Sequence, residues 1–214
     1  MVEKRDNARY SVWGEDEEAI KFLLDKINWN EQKKLSNAVI GPVNKHVRKV
    51  LLEKFGKISV LDTERVFLLN LNEKTLESMR EKVHTPEGIV AGKLEKKDLK
   101  QVYSIWPGRE DHSERYMEET IEHTHTSCLR EGEKIVAFVN LHDDEALGML
   151  FVREEYRKKG LARAVVFNLL QNVFNGKERV IHSEVNVENE NSLKLHAFLD
   201  FEPLEETIYW IYKL

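Results

Sequence analysis

A single cysteine, Cys128, stands in a chain of 214 residues. An intramolecular disulfide and a CxxC-type metal site are therefore excluded, which suits a reducing, intracellular setting. Four prolines and ten glycines are too few for a low-complexity polymer. No apolar stretch approaches the roughly 18–20 residues of a membrane span, so no membrane partner is expected. The first ten residues, MVEKRDNARY, are too polar and acidic for a signal or transit peptide. A cytoplasmic location is expected, and a mitochondrial one only if a presequence has been removed. What remains is an ordinary globular balance, 41% hydrophobic and 33% charged. The length suggests a main domain with a smaller appendage.

The formal net charge of -5 is unevenly spread. Residues 1–86 hold 16 basic and 14 acidic side chains, and residues 87–214 hold 17 and 24. An acidic second half argues against a nucleic-acid groove, which needs a basic footprint to replace phosphate counterions. It tolerates a cationic amine.

A short strand is expected at 8–13, and the acidic first turn with apolar i, i+3, i+4 spacing predicts a helix over 15–27. Residues 34–41 read as a strand, Pro42 as the first residue of a helix that Gly56 closes, and 64–71 as a buried strand. The charged segment 72–86 carries the expected boundary between a domain at 1–86 and one at 87–214. In the second, strand 89–94, helix 95–105, a turn at Trp106-Pro107-Gly108 and helix 112–123 come first. Strands 126–130 and 134–141 follow, around Glu131-Gly132-Glu133. Ala146–Val152, small and apolar throughout, is expected at the sheet centre. A helix, a strand at 178–187, a helix at 191–199 and a closing strand at 205–214 complete a mixed α/β sheet.

Between the central strand and its helix lies Arg157-Lys158-Lys159-Gly160-Leu161-Ala162, of the form R-x-x-G-x-A. Gly160 lets the backbone come close, and successive N–H groups at a helix N-terminus favour an anion such as a pyrophosphate. Arg153, Arg157, Lys158, Lys159 and Arg163 gather five cations within eleven positions. The pattern alone is equally compatible with a solvated helix start.

The segment Asn189-Glu190-Asn191-Ser192-Leu193-Lys194-Leu195-His196-Ala197-Phe198-Leu199-Asp200-Phe201 resembles the N-x-x-A/S-x-x-L-Y-x-x-x-G-F pattern of the GNAT superfamily of acyl-CoA N-acyltransferases. Together with the R-x-x-G-x-A loop in the same order, it carries the resemblance. Two positions depart from the family pattern. Asp200 stands where glycine is usual, and Asp tolerates the left-handed conformation better than most residues. His196 stands where tyrosine is usual. Glu155-Tyr156-Arg157, Val102 to Trp106, Ser113, Tyr116 and Ile27-Asn28-Trp29 resemble the glycine N-acyltransferase-like branch. In that branch the first domain looks like a decayed, half-sized copy of the GNAT fold.

The resemblance implies acyl-CoA as co-substrate, with its pantetheine between Ala146–Val152 and Ile181–Val187. Backbone amides of Leu150, Phe151 and Val152 are then expected to pair with it, while Arg157, Lys158, Lys159, Gly160, Leu161, Ala162 and Arg163, with Asn189 and Ser192, complete the cofactor site. A small amine, glycine or another amino acid, attacks the thioester directly. His196 is the implied acid for the leaving thiolate, against a plain hydrogen-bonding role. Glu145 is the implied base, though one residue out of register, so that only a bulge re-aims it. Trp106, Ser113 and Tyr116 are expected at the acceptor pocket.

Cys128 reads as a buried strand residue rather than a nucleophile. His123 and His125 lack a third spaced ligand, so no metal is expected. Two other functions compete: acetylation of a peptide or protein amine, and a catalytically weak CoA-binding module. Acyl chain length, acceptor and oligomeric state are not carried by these motifs.

Overall fold

Hydrophobic side chains sort this chain into two compact units. In the computed structural model, which describes residues 2–5, 9–29, 40–106, 113–142 and 144–213, one unit comprises Met1–Val66, Glu184–Glu190 and Pro203–Leu214. The other comprises Phe67–Ser183 and Asn191–Glu202. The described strands are β1 (Val2–Arg5), β2 (Arg9–Val12), β3 (Ile40–Val43), β4 (Ser59–Leu71), β5 (Ile89–Gly92), β6 (His125–Glu131), β7 (Lys134–Leu141), β8 (Leu147–Val152), β9 (Arg179–Asn186) and β10 (Glu202–Lys213). The described helices are α1 (Glu17–Leu24), α2 (Lys45–Phe55), α3 (Glu73–Lys82), α4 (Leu99–Ile105), α5 (Ser113–His123), α6 (Leu161–Val173) and α7 (Glu190–Phe198). They form a six-stranded sheet of order β1-β2-β3-β10-β4-β9 and a four-stranded sheet of order β5-β6-β7-β8. The fold is mixed α/β, as expected.

In the first unit, α1 starts where the Asp16 carboxylate accepts from the Ala19 N–H at 2.7 Å, with Glu17 and Glu18 facing the positive end of the helix dipole. Its apolar stripe, Ile20 and Leu24, packs with Val12, Val43, Val47, Leu51 and Ile211. Pro42 does not open α2. It lies inside β3, after a cis Gly41–Pro42 bond, and Asn44 caps the helix instead. Proline only removes one of the unsatisfied N–H groups of a first turn, whereas the Asn44 carboxamide accepts from Val47 N–H at 3.0 Å and donates to Gly14 O at 2.8 Å. Gly56, at φ 70°, closes α2 as expected. Of the strand expected at 34–41, residues up to 39 lie outside the described residues.

In the second unit, the charged segment after Leu71 is a helix, not a connection. Asn72 and Thr75 form a reciprocal capping box, and Leu76 and Met79 turn inward from α3. The antiparallel ladder β5-β6-β7-β8 has its most buried strand in β7, where Ile135 to Val139 have no exposed surface. Helix α6 covers β6 and β7 with Leu161, Ala164, Val165, Leu169 and Leu170. The expectation of a central Ala146–Val152 is corrected: β8 is an edge strand, half-buried over most of its length. Its apolar side chains still pack: Leu147 is buried, and Met149 and Phe151 lie against the core of Val102, Met117 and Phe138. The C-terminal strand β10, expected as the closing strand of the sheet, lies between β3 and β4.

Asp200 takes φ 59° at the end of α7, the conformation its departure from glycine required. Its carboxylate receives Lys82 Nζ at 2.8 Å and Ser78 Oγ at 3.0 Å. Asn44, 1% exposed, serves two backbone groups at once. Replacing it by Ala is expected to lower stability by about 1–2 kcal/mol, read as a lower urea midpoint at unchanged slope. A change below a few tenths would show that the cap is not what starts α2.

Candidate functional site

Two sheet edges meet at one point. Ala146 forms an isolated parallel bridge with His182 of β9, where the His182 N–H donates to Glu145 O at 3.1 Å. Beyond it, β7 is the only ladder partner of β8 among the described residues. Between the pairs Phe138–Phe151 and Asn140–Gly148, β8 carries one residue more than β7, and Met149 stands at φ 48°. This is a β-bulge, a device that bends a strand and re-aims its groups beside a site. Leu150, Phe151 and Val152 follow it, each half-buried.

At the far end of β8 the chain turns through the short 3-10 segment Glu154–Tyr156 into α6. Lys158 takes φ 60° and Gly160 φ 81°, so two left-handed residues lie one apart just before the helix. A Cβ on Gly160 would meet nothing within 4 Å, hence glycine is required here by conformation and not by space. Gly160 is the N-cap and offers no side chain to the first N–H groups of α6. Arg157, Lys158, Lys159, Gly160 and Arg163 are exposed, Ala162 half-exposed and Leu161 buried. Arg157 Nε donates to Val152 O at 3.3 Å, Lys159 Nζ lies 5.2 Å over the Tyr156 ring, and the Arg163 guanidinium 3.5 Å over Phe198. These cations are held by a carbonyl and by rings. The loop thus keeps positive charge, outward amides and a helix dipole together, which fits the pyrophosphate end of a coenzyme.

The acceptor candidates are carried by α4 and α5, which pack against each other. Trp106 ends α4 and packs with Val102, Met117 and Phe138, alongside Met149 and Phe151. Tyr116, on α5 and 42% exposed, has its hydroxyl 3.0 Å from His142 Nδ1. Ser113 opens α5, but its side chain lies outside the described residues. His142, at the end of β7, was missed from sequence. The signal was Gly148 in an apolar strand, since a glycine there marks close approach of another group. A Cβ at 148 would lie 2.2 Å from His142 Nε2.

The two catalytic candidates sit among protein partners. Glu145, at φ 67°, receives Arg179 Nη2 on its Oε1 at 2.5 Å, while its Oε2 is buried with no hydrogen-bond partner among the described residues. The bulge of β8 lies beyond it and does not re-aim its side chain. His196 is 3% exposed: Nδ1 meets Ser192 O at 2.8 Å and Nε2 meets Ser183 Oγ at 2.9 Å. A carbonyl only accepts, so Nδ1 carries the proton and Nε2 accepts from the serine. Burial lowers the ring's pKa, opposed in part by the Ser192 carbonyl. Ser192 reaches this site through that carbonyl and through its hydroxyl, 3.4 Å from Nδ1. Asn189 sits in the turn before α7, its N–H on Asn186 O at 2.9 Å.

Cys128 is fully buried in β6, and burial pushes its thiol up to about 11. Among the described residues, no group of three His, Cys, Asp or Glu is placed to hold a metal ion. No described helix is long and apolar enough to cross a membrane.

The sequence of residues 84–209 matches the acetyltransferase (GNAT) domain family. No curated protein matches the chain significantly. Among solved structures, a Drosophila protein from a structural genomics programme is similar at 17% identity and a TM-score of 0.76, over 100% of this chain and 73% of its own. A GCN5-related N-acetyltransferase from Kribbella flavida is similar at 10% identity and 0.65, over 96% and 80%. A tandem GNAT protein of the clavulanic acid biosynthesis pathway is similar at 13% and 0.63, over 92% and 68%.

Because its pKa is depressed by burial, His196 resists protonation in the native state, while the unfolded chain accepts a proton at about pH 6.5. Stability that is present above that pH is lost as pH falls through the native value. The urea midpoint of the wild type is expected to drop more between pH 8 and pH 5 than that of His196→Gln. Parallel curves would mean that the ring charges freely in the folded protein.

Proposed function

The chain belongs to the acetyltransferase (GNAT) domain family, and from that premise we propose that it moves an acyl group from acyl-CoA to the amine of a small acceptor, glycine or another amino acid, by direct attack. The observation that carries this reading is the loop from Arg157 to Arg163, with left-handed Lys158 and Gly160 at the mouth of α6. Its amides and cations would hold the pyrophosphate, and the amides of Leu150 to Val152 along β8 would pair with the pantetheine and polarise the thioester carbonyl. Residues 1–86 would then form a decayed first domain and 87–214 the transferase domain, with Asn189 and Ser192 beside the coenzyme.

In this reading Glu145 and His196 support the site more than they exchange protons with substrate. Glu145 is committed to Arg179, and His196 would have to gain a proton against its burial before donating one. Trp106, Ser113 and Tyr116 line the acceptor side.

The test is thiol release from a panel of acyl-CoAs with glycine, other amino acids, polyamines and a lysine peptide. Amine-dependent release with a free amino acid is expected. Release with the peptide alone would replace the small acceptor by a protein amine, and CoA binding without release on any amine would leave a binding module. Gly160→Val places a β-branched residue at φ 81° and is expected to weaken CoA binding about tenfold, or about 1.4 kcal/mol, in calorimetry. Unchanged affinity would remove the loop from the coenzyme site.

A further inference from the structure

The imidazole of His142 occupies the space that a side chain at position 148 would fill. Gly148 is not left-handed, so glycine serves here to admit the ring and not to shape the backbone. The ring is fixed from behind. Tyr116 Oη lies 3.0 Å and Asn140 Nδ2 3.4 Å from Nδ1, and the Tyr116 and His142 rings stack with centroids 6.2 Å apart at 20°. Nε2 is therefore laid over β8 at Gly148, just before the bulged residue Met149 and two residues before Leu150. Leu150 carries the first of the amides assigned to the thioester, so the ring and those amides flank the same bulge. Asn140 adds an independent sign: it is 1% exposed, and its Oδ1 is buried with no hydrogen-bond partner among the described residues. A buried acceptor without a donor is costly; with the carboxamide turned over, Oδ1 takes the place of Nδ2 and accepts the Nδ1 proton, which puts the basic lone pair on Nε2.

We propose that His142 is the general base of the reaction, with Tyr116 and Asn140 as its positioning residues. The proposal rests on the acyl-transfer reading. Nε2 takes one proton from the bound ammonium group of the acceptor and later passes it to solvent. The freed nitrogen lone pair forms the C–N bond, the C–S bond breaks, and the second proton shed by nitrogen goes to the departing sulfur. With the amine supplying that proton, no separate acid is required.

Among the described residues, the groups around the ring leave the role to His142. From α5 the titratable neighbour is Tyr116. From β7 and β8 come Asn140 and Gly148, neither charged. On the adjoining turn, the Asp144 carboxylate accepts from Ala146 N–H at 3.2 Å, Glu145 pairs with Arg179 of β9, and Asp143 lies outside the described residues.

The experiment is the pH profile of kcat/KM, with CoA affinity measured in parallel, for the wild type, His142→Gln and Tyr116→Phe. His142→Gln is expected to lower kcat/KM at pH 7 by about 10²-fold or more, to abolish the acid limb and to recover as pH rises and the amine deprotonates in solution, with CoA affinity unchanged. Tyr116→Phe removes one oxygen from an exposed helix face, so it should fold; it is expected to move the acid limb and lower kcat. Superimposable profiles for wild type and both variants would overturn the base while leaving acyl transfer intact. Absence of amine-dependent release in the wild type would overturn the acyl-transfer reading and this inference with it.

Discussion

The bridge between Ala146 and His182 is the constraint on which the site geometry depends. It is the only ladder contact between the β8 and β9 edges among the described residues, and Glu145 secures it twice. Its carbonyl takes the His182 N–H, and its carboxylate takes Arg179. The left-handed backbone at Glu145 is what lets one residue turn both groups towards β9. Past that staple β8 has a single ladder partner among the described residues, so its other edge retains backbone groups that an extended ligand can pair with. The bulge at Met149 then changes the direction of those groups midway, close to His142 and Trp106.

The loop beyond β8 is an expensive local structure. Left-handed Lys158 and four closely spaced cations oppose folding through strain and like-charge repulsion. Packing of Leu161, Ala164 and Val165 against the sheet offsets this, as do the rings of Tyr156 and Phe198 beneath Lys159 and Arg163. Tyr156 is central: Lys134 and Lys159 lie over its ring, and its hydroxyl bonds Glu131. A ring stabilises a cation without cancelling its charge, which leaves the loop electropositive in an otherwise acidic half of the chain.

The second half of the fold was legible in the sequence because its strands and helices alternate with clear period and clear punctuation, and Gly132, Gly160 and Asp200 behave as their residue types require. The misreadings have definite causes. Pro42 obeyed a rule for helix starts, but a carboxamide two residues on satisfied the amides better. In α3 the apolar positions Leu76 and Met79 were outnumbered by charge, although Asn72 and Thr75 already spelled a cap. The sheet order was not legible at all, since pairing of β8 with β7 and of β10 with β3 and β4 depends on long-range contacts that no local window contains. The proposed coenzyme loop rests on a resemblance, since its pattern alone is equally compatible with a solvated helix start, but its left-handed Gly160 was readable from backbone demands. His142 was not, because its meaning lies in the glycine six residues later.

Cys128 has a further physical meaning. It is the sole thiol, lies in the second strand of an antiparallel ladder with no exposed surface, and is held in its protonated form by burial. A thiolate is the reactive species, so in the closed protein this sulfur is inert towards oxidants and alkylating agents. It becomes reactive only when β6 is uncovered. The rate at which it is labelled therefore counts openings of the four-stranded sheet, and the chain carries its own clock for the local unfolding of the layer on which the site is built.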